Sequence, residues 1–170
     1  MYNWHFAPGA AYLTSGIGFG RTTLSAFDAA ELNAGILATN AVKVSSFIPP
    51  GWRIVHDERA LRKFTDKGVF LPMAYAYSVS NRCSVAASLV VGVNKAPQKA
   101  SIITEHAGQD ITGEESCHES ETSLQDAFKA RLWEVERLEK LVAAAKPKDG
   151  LYVCALVAAV FLTDEARSRF

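Results

Sequence analysis

The sequence is short of the residues that staple a chain, bind metal or leave it disordered. Its three cysteines, Cys83, Cys117 and Cys154, are widely and irregularly spaced. An odd count without CxxC spacing fits free thiols in a reducing compartment. A zinc site needs two close ligands plus histidines at helical or hairpin spacing, and Cys117-His118 alone does not supply them, so no metal is expected. Excess charge of either sign is also missing, with 18 basic and 18 acidic residues. That balance argues against a nucleic-acid partner and lends no support to attraction by anionic membranes. Long apolar runs are absent too. The longest, Leu151 to Leu162, falls well short of the roughly 20 residues that a spanning helix needs, so a buried strand is expected instead of a membrane segment. The opening MYNWHFAPGAAYL lacks a basic start followed by an apolar core and a cleavage site, so no signal peptide is expected. A cytoplasmic location is expected.

What is present is enough for one globular domain. Of the 170 residues, 49% are apolar and 21% charged, a composition that opposes disorder. A chain of this length can bury roughly 70% of its unfolded surface without a staple. Gly16, Gly18 and Gly20 in SGIGFG have neither the spacing nor the following Lys-Ser/Thr of a phosphate loop, so a bending strand or turn is expected there. A helix follows, with Leu24, Phe27 and Leu32 on its apolar side, Ser25 as N-cap and Gly35 as its stop. Strands are expected over residues 41–48, closed by Pro49-Pro50-Gly51, and over 52–55, 69–78, 84–93, 100–105 and 151–162. The polar stretch 57–68 reads as a surface loop with a helical turn. A second helix carries Leu124, Ala127, Phe128, Arg131 and Leu132 at helical spacing. Residues 134–145 are ambiguous. Their composition favours helix, whereas the turn signal KPKDG suggests the first arm of a hairpin over 137–145. Strands flanked by two helices imply a single α+β layered domain.

Asp28 and Glu31 are three residues apart, so both carboxylates share one helix face. Read alone, they form an exposed acidic face near a helix N-terminus. Asn40 reads as a turn residue ahead of a strand, and Glu105 as an exposed strand-end carboxylate. If buried there, Glu105 would have a raised pKa and could hold a proton near neutrality. His106 should point to the opposite face of its strand. His5, His56 and His118 have no nameable partner.

The block SAFDAAELNAGILATNAVKVSSFIPP, residues 25–50, changes this reading. It resembles the pyruvoyl-dependent arginine decarboxylases, whose pattern runs AFD-x-A-x-x-NAGI, a short gap, Asn, four residues, Ser-Ser, an apolar pair and Pro-Pro. The resemblance continues in LPMAYAYSVS at 71–80, IITEHAG at 102–108, LWEVERLE at 132–139 and the closing alanine-rich strand. It implies an αββα sandwich with mostly antiparallel sheets. It also implies self-cleavage between Ser45 and Ser46 into a small chain, 1–45, and a larger chain, 46–170.

The chemistry shows why such residues are needed. Decarboxylating an amino acid leaves a carbanion at Cα, and a ketone that has condensed with the substrate amine supplies the electron sink, as pyridoxal phosphate does elsewhere. No pyridoxal-phosphate site is recognisable here. By resemblance, Ser46 attacks the Ser45 carbonyl and becomes the pyruvoyl group, with Asn40 stabilising the oxyanion and Glu105 protonating Cα after carbon dioxide leaves. Asp28 is implied as the guanidinium partner through a bidentate contact, with L-arginine as substrate and agmatine as product. Phe47, directly after Ser46, would line the same pocket. Two departures bear on the substrate. Some family members have an apolar residue where Glu31 stands, and relatives often carry Gly-Asn where this chain has Leu37-Ala38. Glu31 could add a second acidic contact, so another basic or polar amino acid remains an alternative substrate. The family further implies a homo-oligomer of cleaved protomers, a trimer or a dimer of trimers, with active sites at protomer interfaces. From another class, the chain could be an uncleaved structural homologue. Its joint possession of Asp28, Asn40, Ser45-Ser46 and Glu105 argues against that.

Overall fold

The computed structural model describes residues 7–57, 61–66 and 68–168. His5 lies outside them. Strand Tyr152–Thr163 (β9) is apolar at almost every position, so it needs cover on both faces. It finds that cover at the centre of a five-stranded sheet. Its neighbours there are β1 (Gly9–Gly20) and β5 (Val69–Ser80), with β4 (Arg53–Val55) beyond β1 and β2 (Thr39–Lys43) beyond β5. A second sheet holds β3 (Phe47–Ile48), β7 (Ser101–Gln109), β6 (Val85–Asn94) and β8 (Val135–Ala145), in that order. The β1–β4 and β2–β5 pairings are parallel; the others are antiparallel.

The period-two alternation of β9 sorts the layers. Cys154, Leu156, Ala158 and Val160 pack beneath helix α1 (Thr23–Asn33). Val153, Ala155, Val157 and Ala159 pack against Leu89, Val91 and Ile103 of the second sheet. Helix α2 (Gly113–Ala130) covers the far side of that sheet, setting Leu124 and Phe128 on Val90 and Ile102. The result is the αββα sandwich that the resemblance implies. A short α3 (Asp164–Ser168) follows β9.

Several local expectations change. SGIGFG, expected as a bending strand or turn, is strand throughout and forms the second half of β1. Its glycines let α1 approach. A methyl group on Gly16 would strike the backbone of Ala30, and one on Gly18 the backbone of Ala26 and Ala30. Ala26, Ala30 and Ala34 are accordingly fully buried. The cap of α1 is Thr22, with Ser25 completing the capping box as its third helical residue. Gly35 ends the helix at a φ of 78°. The second helix begins at Gly113, inside the acidic segment, because Thr112 and Glu115 form a capping box.

Residues 134–145 contain a strand, but it makes no hairpin with the strand that follows. β8 pairs with β6 in one sheet while β9 joins the other. β8 is exposed at most positions and charged at Glu136, Arg137 and Lys140, which suits a sheet edge. The almost wholly apolar β9 needs the centre. Within 57–68, Leu61, Phe64 and Thr65 are buried, so the segment is not merely a surface loop. Thr65 donates to the Gly35 carbonyl and accepts from Leu37 N–H, bracing the turn out of α1.

Candidate active site

The expected strand over 41–48 is broken, and the break is where the chain changes sheet. Val44 N–H still donates to Met73 on the five-stranded sheet, at 3.1 Å. Two residues on, the Ser46 carbonyl accepts from Ile103 N–H of β7, at 2.8 Å. Ser45 is the exposed pivot between these ladders, and Ser46 is half-buried. At this pivot Phe47 N–H donates to the Ser45 carbonyl at 3.0 Å, closing a three-residue turn.

Ser46 Oγ donates to Glu105 Oε2 at 3.0 Å. Glu105 is not at a strand end, since β7 continues to Gln109 and pairs Glu105 with Leu89. Alternation gives Glu105 the same face as Ile103, which packs between the sheets. His106 takes the opposite face, where its Nδ1 meets Ser116 Oγ of α2 at 3.2 Å. Ser46 and Glu105, 59 residues apart in sequence, thus meet because a strand crossover is pinned to the middle of β7.

Asn40 is exposed on β2, and its Nδ2 donates to the Gly68 carbonyl at 3.0 Å. This bond ties the strand leading into Ser45-Ser46 to the start of β5. The Phe47 ring is 39% exposed beside Ser46, with the Arg131 guanidinium carbon 5.4 Å from its centroid. Sequence reasoning missed Arg131 as a neighbour of this site, since it lies just past the end of α2, far along the chain.

Asp28 and Glu31 share one face of α1, as their spacing requires, but their environments differ. Asp28 is exposed and Glu31 half-buried. Burial, and then the Asp28 carboxylate, raise the Glu31 carboxyl from its ordinary 4.5 to about 7. Beneath the helix, Cys154 is fully buried. Burial, with Glu31 adding to it, pushes its thiol up to about 12. Helix α1 covers the outer face of the five-stranded sheet, whereas Glu105 faces the space between the sheets. Within one chain, therefore, that sheet separates the α1 carboxylates from Ser46 and Glu105. Leu37 is half-buried beyond α1 and Ala38 exposed. Of the remaining histidines, His56 Nε2 lies 3.3 Å from Glu139 Oε2, and His118 lines a surface cleft with Cys117, Glu121 and Lys140.

The state of Glu31 has a measurable consequence. Its folded carboxyl keeps a proton up to about pH 7, whereas in an unfolded chain it loses it near 4.5. Stability is therefore fully present below pH 4.5 and is lost as pH rises through 7, when a charge forms beside Asp28. Glu31→Gln should melt with wild type near pH 4 and about 3 °C above it at pH 8, a figure reduced for solvent screening. Melting curves across that range test it. A gap that shrinks as pH rises would mean that a cation holds Glu31 charged.

Residues 10–166 match the pyruvoyl-dependent arginine decarboxylase family. The chain belongs to that family. A relative from Methanocaldococcus jannaschii, named pyruvoyl-dependent arginine decarboxylase, is 32% identical over 140 residues, 79% of each chain. The pyruvoyl-dependent arginine decarboxylase 2 of Archaeoglobus fulgidus is also 32% identical, over 157 residues, covering 91% of this chain and 97% of its own. Thermococcus sibiricus has a further relative of that name, 32% identical over 91% of this chain and 96% of its own. Among solved structures, a pyruvoyl-dependent histidine decarboxylase gives a TM-score of 0.45 at 16% identity, over 55% of this chain and 51% of its own. In this family member, Ser46 and Glu105 are hydrogen-bonded where the chain passes between sheets. Among the described residues, no helix is long and apolar enough to cross a membrane.

Proposed function

We propose that the chain cuts itself between Ser45 and Ser46, turns Ser46 into a pyruvoyl group, and decarboxylates L-arginine to agmatine. The observation that carries this is the Ser46 Oγ–Glu105 hydrogen bond at the sheet crossover of a chain from this family. Glu105 is placed to take the Oγ proton while Oγ attacks the Ser45 carbonyl carbon. The C–N bond then breaks and an ester links Ser45 to the Ser46 side chain. Loss of the Ser46 Cα proton and of the ester oxygen leaves a Ser45 carboxylate and an enamine at position 46. Tautomerisation and hydrolysis then release ammonia. The residues present fit the group, since its precursor serine is half-buried beside a carboxylate and no phosphate cradle for pyridoxal phosphate is required.

Once formed, the pyruvoyl ketone supplies the electron sink for decarboxylation. Glu105 then holds the proton that the substrate Cα receives, and the Phe47 ring bounds the pocket beside it. Asn40, by tying β2 to the Gly68 carbonyl, fixes the strand that presents the cleavage site. Asp28 and Glu31 bind the guanidinium group. Because the five-stranded sheet separates them from their own Ser46, they serve the site of a neighbouring copy. This supports a homo-oligomer, a trimer or a dimer of trimers, acting in the cytoplasm.

The intact mass under denaturing conditions tests the cut. Fragments 1–45 and 46–170 are expected, with the nitrogen of Ser46 gone from the larger. A single full-length mass in purified, folded protein would overturn self-processing. Asp28→Asn tests the substrate. It should raise the KM for arginine about 10- to 100-fold, the scale of a lost charged hydrogen bond, while the chain still cleaves. An unchanged KM would remove Asp28 from the site.

A further inference from the structure

Self-cleavage as proposed above builds negative charge on the Ser45 carbonyl oxygen, and the fold already gives that oxygen a donor. Phe47 N–H reaches it at 3.0 Å across the turn centred on Ser46. The link to the second sheet is made one residue earlier, by Ile103 N–H to the Ser46 carbonyl at 2.8 Å. The Phe47 N–H is therefore spent on the Ser45 oxygen. Asn40, the side-chain donor that the sequence singles out, directs its amide to Gly68 instead.

We infer that the backbone N–H of Phe47, rather than the Asn40 amide, is the oxyanion donor of self-cleavage, an inference that rests on the proposed cut. The geometry suits the electron flow. As the bond from Ser46 Oγ to the Ser45 carbon forms, the Oγ proton passes to Glu105. The carbonyl π pair moves onto the Ser45 oxygen, where the Phe47 N–H meets it without reorganisation. The pair returns as the C–N bond breaks, and the Ser46 nitrogen takes the proton back from Glu105. Attack closes a five-membered ring within the turn, so donor, nucleophile and target lie in three consecutive residues. Two contacts outside the turn hold it in place: Glu105 on Oγ and Ile103 on the Ser46 carbonyl.

A change confined to one backbone atom tests this. L-3-phenyllactic acid incorporated at position 47 replaces the N–H with oxygen and keeps the benzyl side chain. The full chain carrying it should cleave about 10²- to 10³-fold more slowly than wild type, the scale of one lost oxyanion donor. Asn40→Ala, which keeps the Phe47 N–H, should slow cleavage less. Cleavage of the folded ester chain at the wild-type rate, or the reverse order of the two effects, would overturn the inference and leave the proposed cut standing. If wild type itself stays whole, the proposed cut fails first. Should the ester chain lose its near-ultraviolet dichroism, hydrogen exchange in the intact Ser46→Ala chain decides. A protected Phe47 amide upholds the inference, and exchange at the rate of an unstructured peptide overturns it.

Discussion

Ser46→Ala is expected to leave the 170-residue chain in one piece and to abolish decarboxylation. The substitution removes the nucleophile and the source of the ketone together, so no residual activity should survive. The fold should tolerate it. Ser46 is half-buried, and its hydroxyl makes one side-chain bond, to Glu105. A net cost of about 1 kcal/mol is in keeping with one such bond. The neighbouring Ser45 offers no rescue, because the hydrogen bond to Glu105 belongs to Ser46. Mass spectrometry of the variant and a carbon dioxide release assay on arginine read both effects. Cleavage at 45–46 in the alanine variant would place the nucleophile elsewhere, and normal turnover of arginine by the uncut chain would remove the ketone from the reaction.

The second large effect falls on Glu105→Gln. Glutamine matches glutamate in size and can still accept the Ser46 hydroxyl, so the crossover should keep its place on β7. What it cannot do is take a proton. Cleavage should slow markedly, and the fraction that does mature should turn arginine over about 10²- to 10⁴-fold more slowly, the range of a lost general acid or base. Its KM should change little, since the proposed guanidinium partners, Asp28 and Glu31, lie on α1. Following both readouts separates two roles. Normal cleavage with a collapsed kcat would confine Glu105 to the decarboxylation step. Loss of neither would remove it from the site, despite its 3.0 Å bond to Ser46.

The layer order was legible because strands such as Val85–Asn94 and Tyr152–Thr163 are apolar on both faces, and only a layered sandwich covers both. The sheet to which each strand belongs was less so. KPKDG announces a chain reversal, but turn chemistry is local, and a reversal within one sheet looks the same as a step between two. Burial demand decided it, with charged β8 going to an edge and apolar β9 to a centre. The interruption after Lys43 left no mark either. Residues 41–48 contain no glycine or proline, and the run AVKVSSFI reads as continuous strand. For the site, the ordered segments around Ser45-Ser46 pointed to the residues whose side chains the fold brings together, Ser46 and Glu105. They could not show that the α1 carboxylates lie across a sheet from that pair, since the pattern carries no information on which side of a sheet a helix packs. Nor could they show the Phe47 N–H, because every residue but proline has one.

The proposed cut would also change what kind of folding problem the protein poses. Residues 1–45 contribute β1, α1 and β2. β1 is no peripheral strand. It lies between β9 and β4, and it is in register with β9 from Gly9 opposite Thr163 to Gly20 opposite Tyr152. The precursor can reach this arrangement as a single chain, in a unimolecular reaction indifferent to dilution. After the proposed processing, the same sheet would join two separate molecules, and regaining it from the unfolded state would require them to meet. Refolding of a single protomer, before any assembly, should then depend on protein concentration in the processed form but not in the precursor. The processed enzyme would persist chiefly through slow release of a twelve-residue strand from the interior of its sheet. Processing of this kind would be a one-way door, passed once by a chain that has already folded.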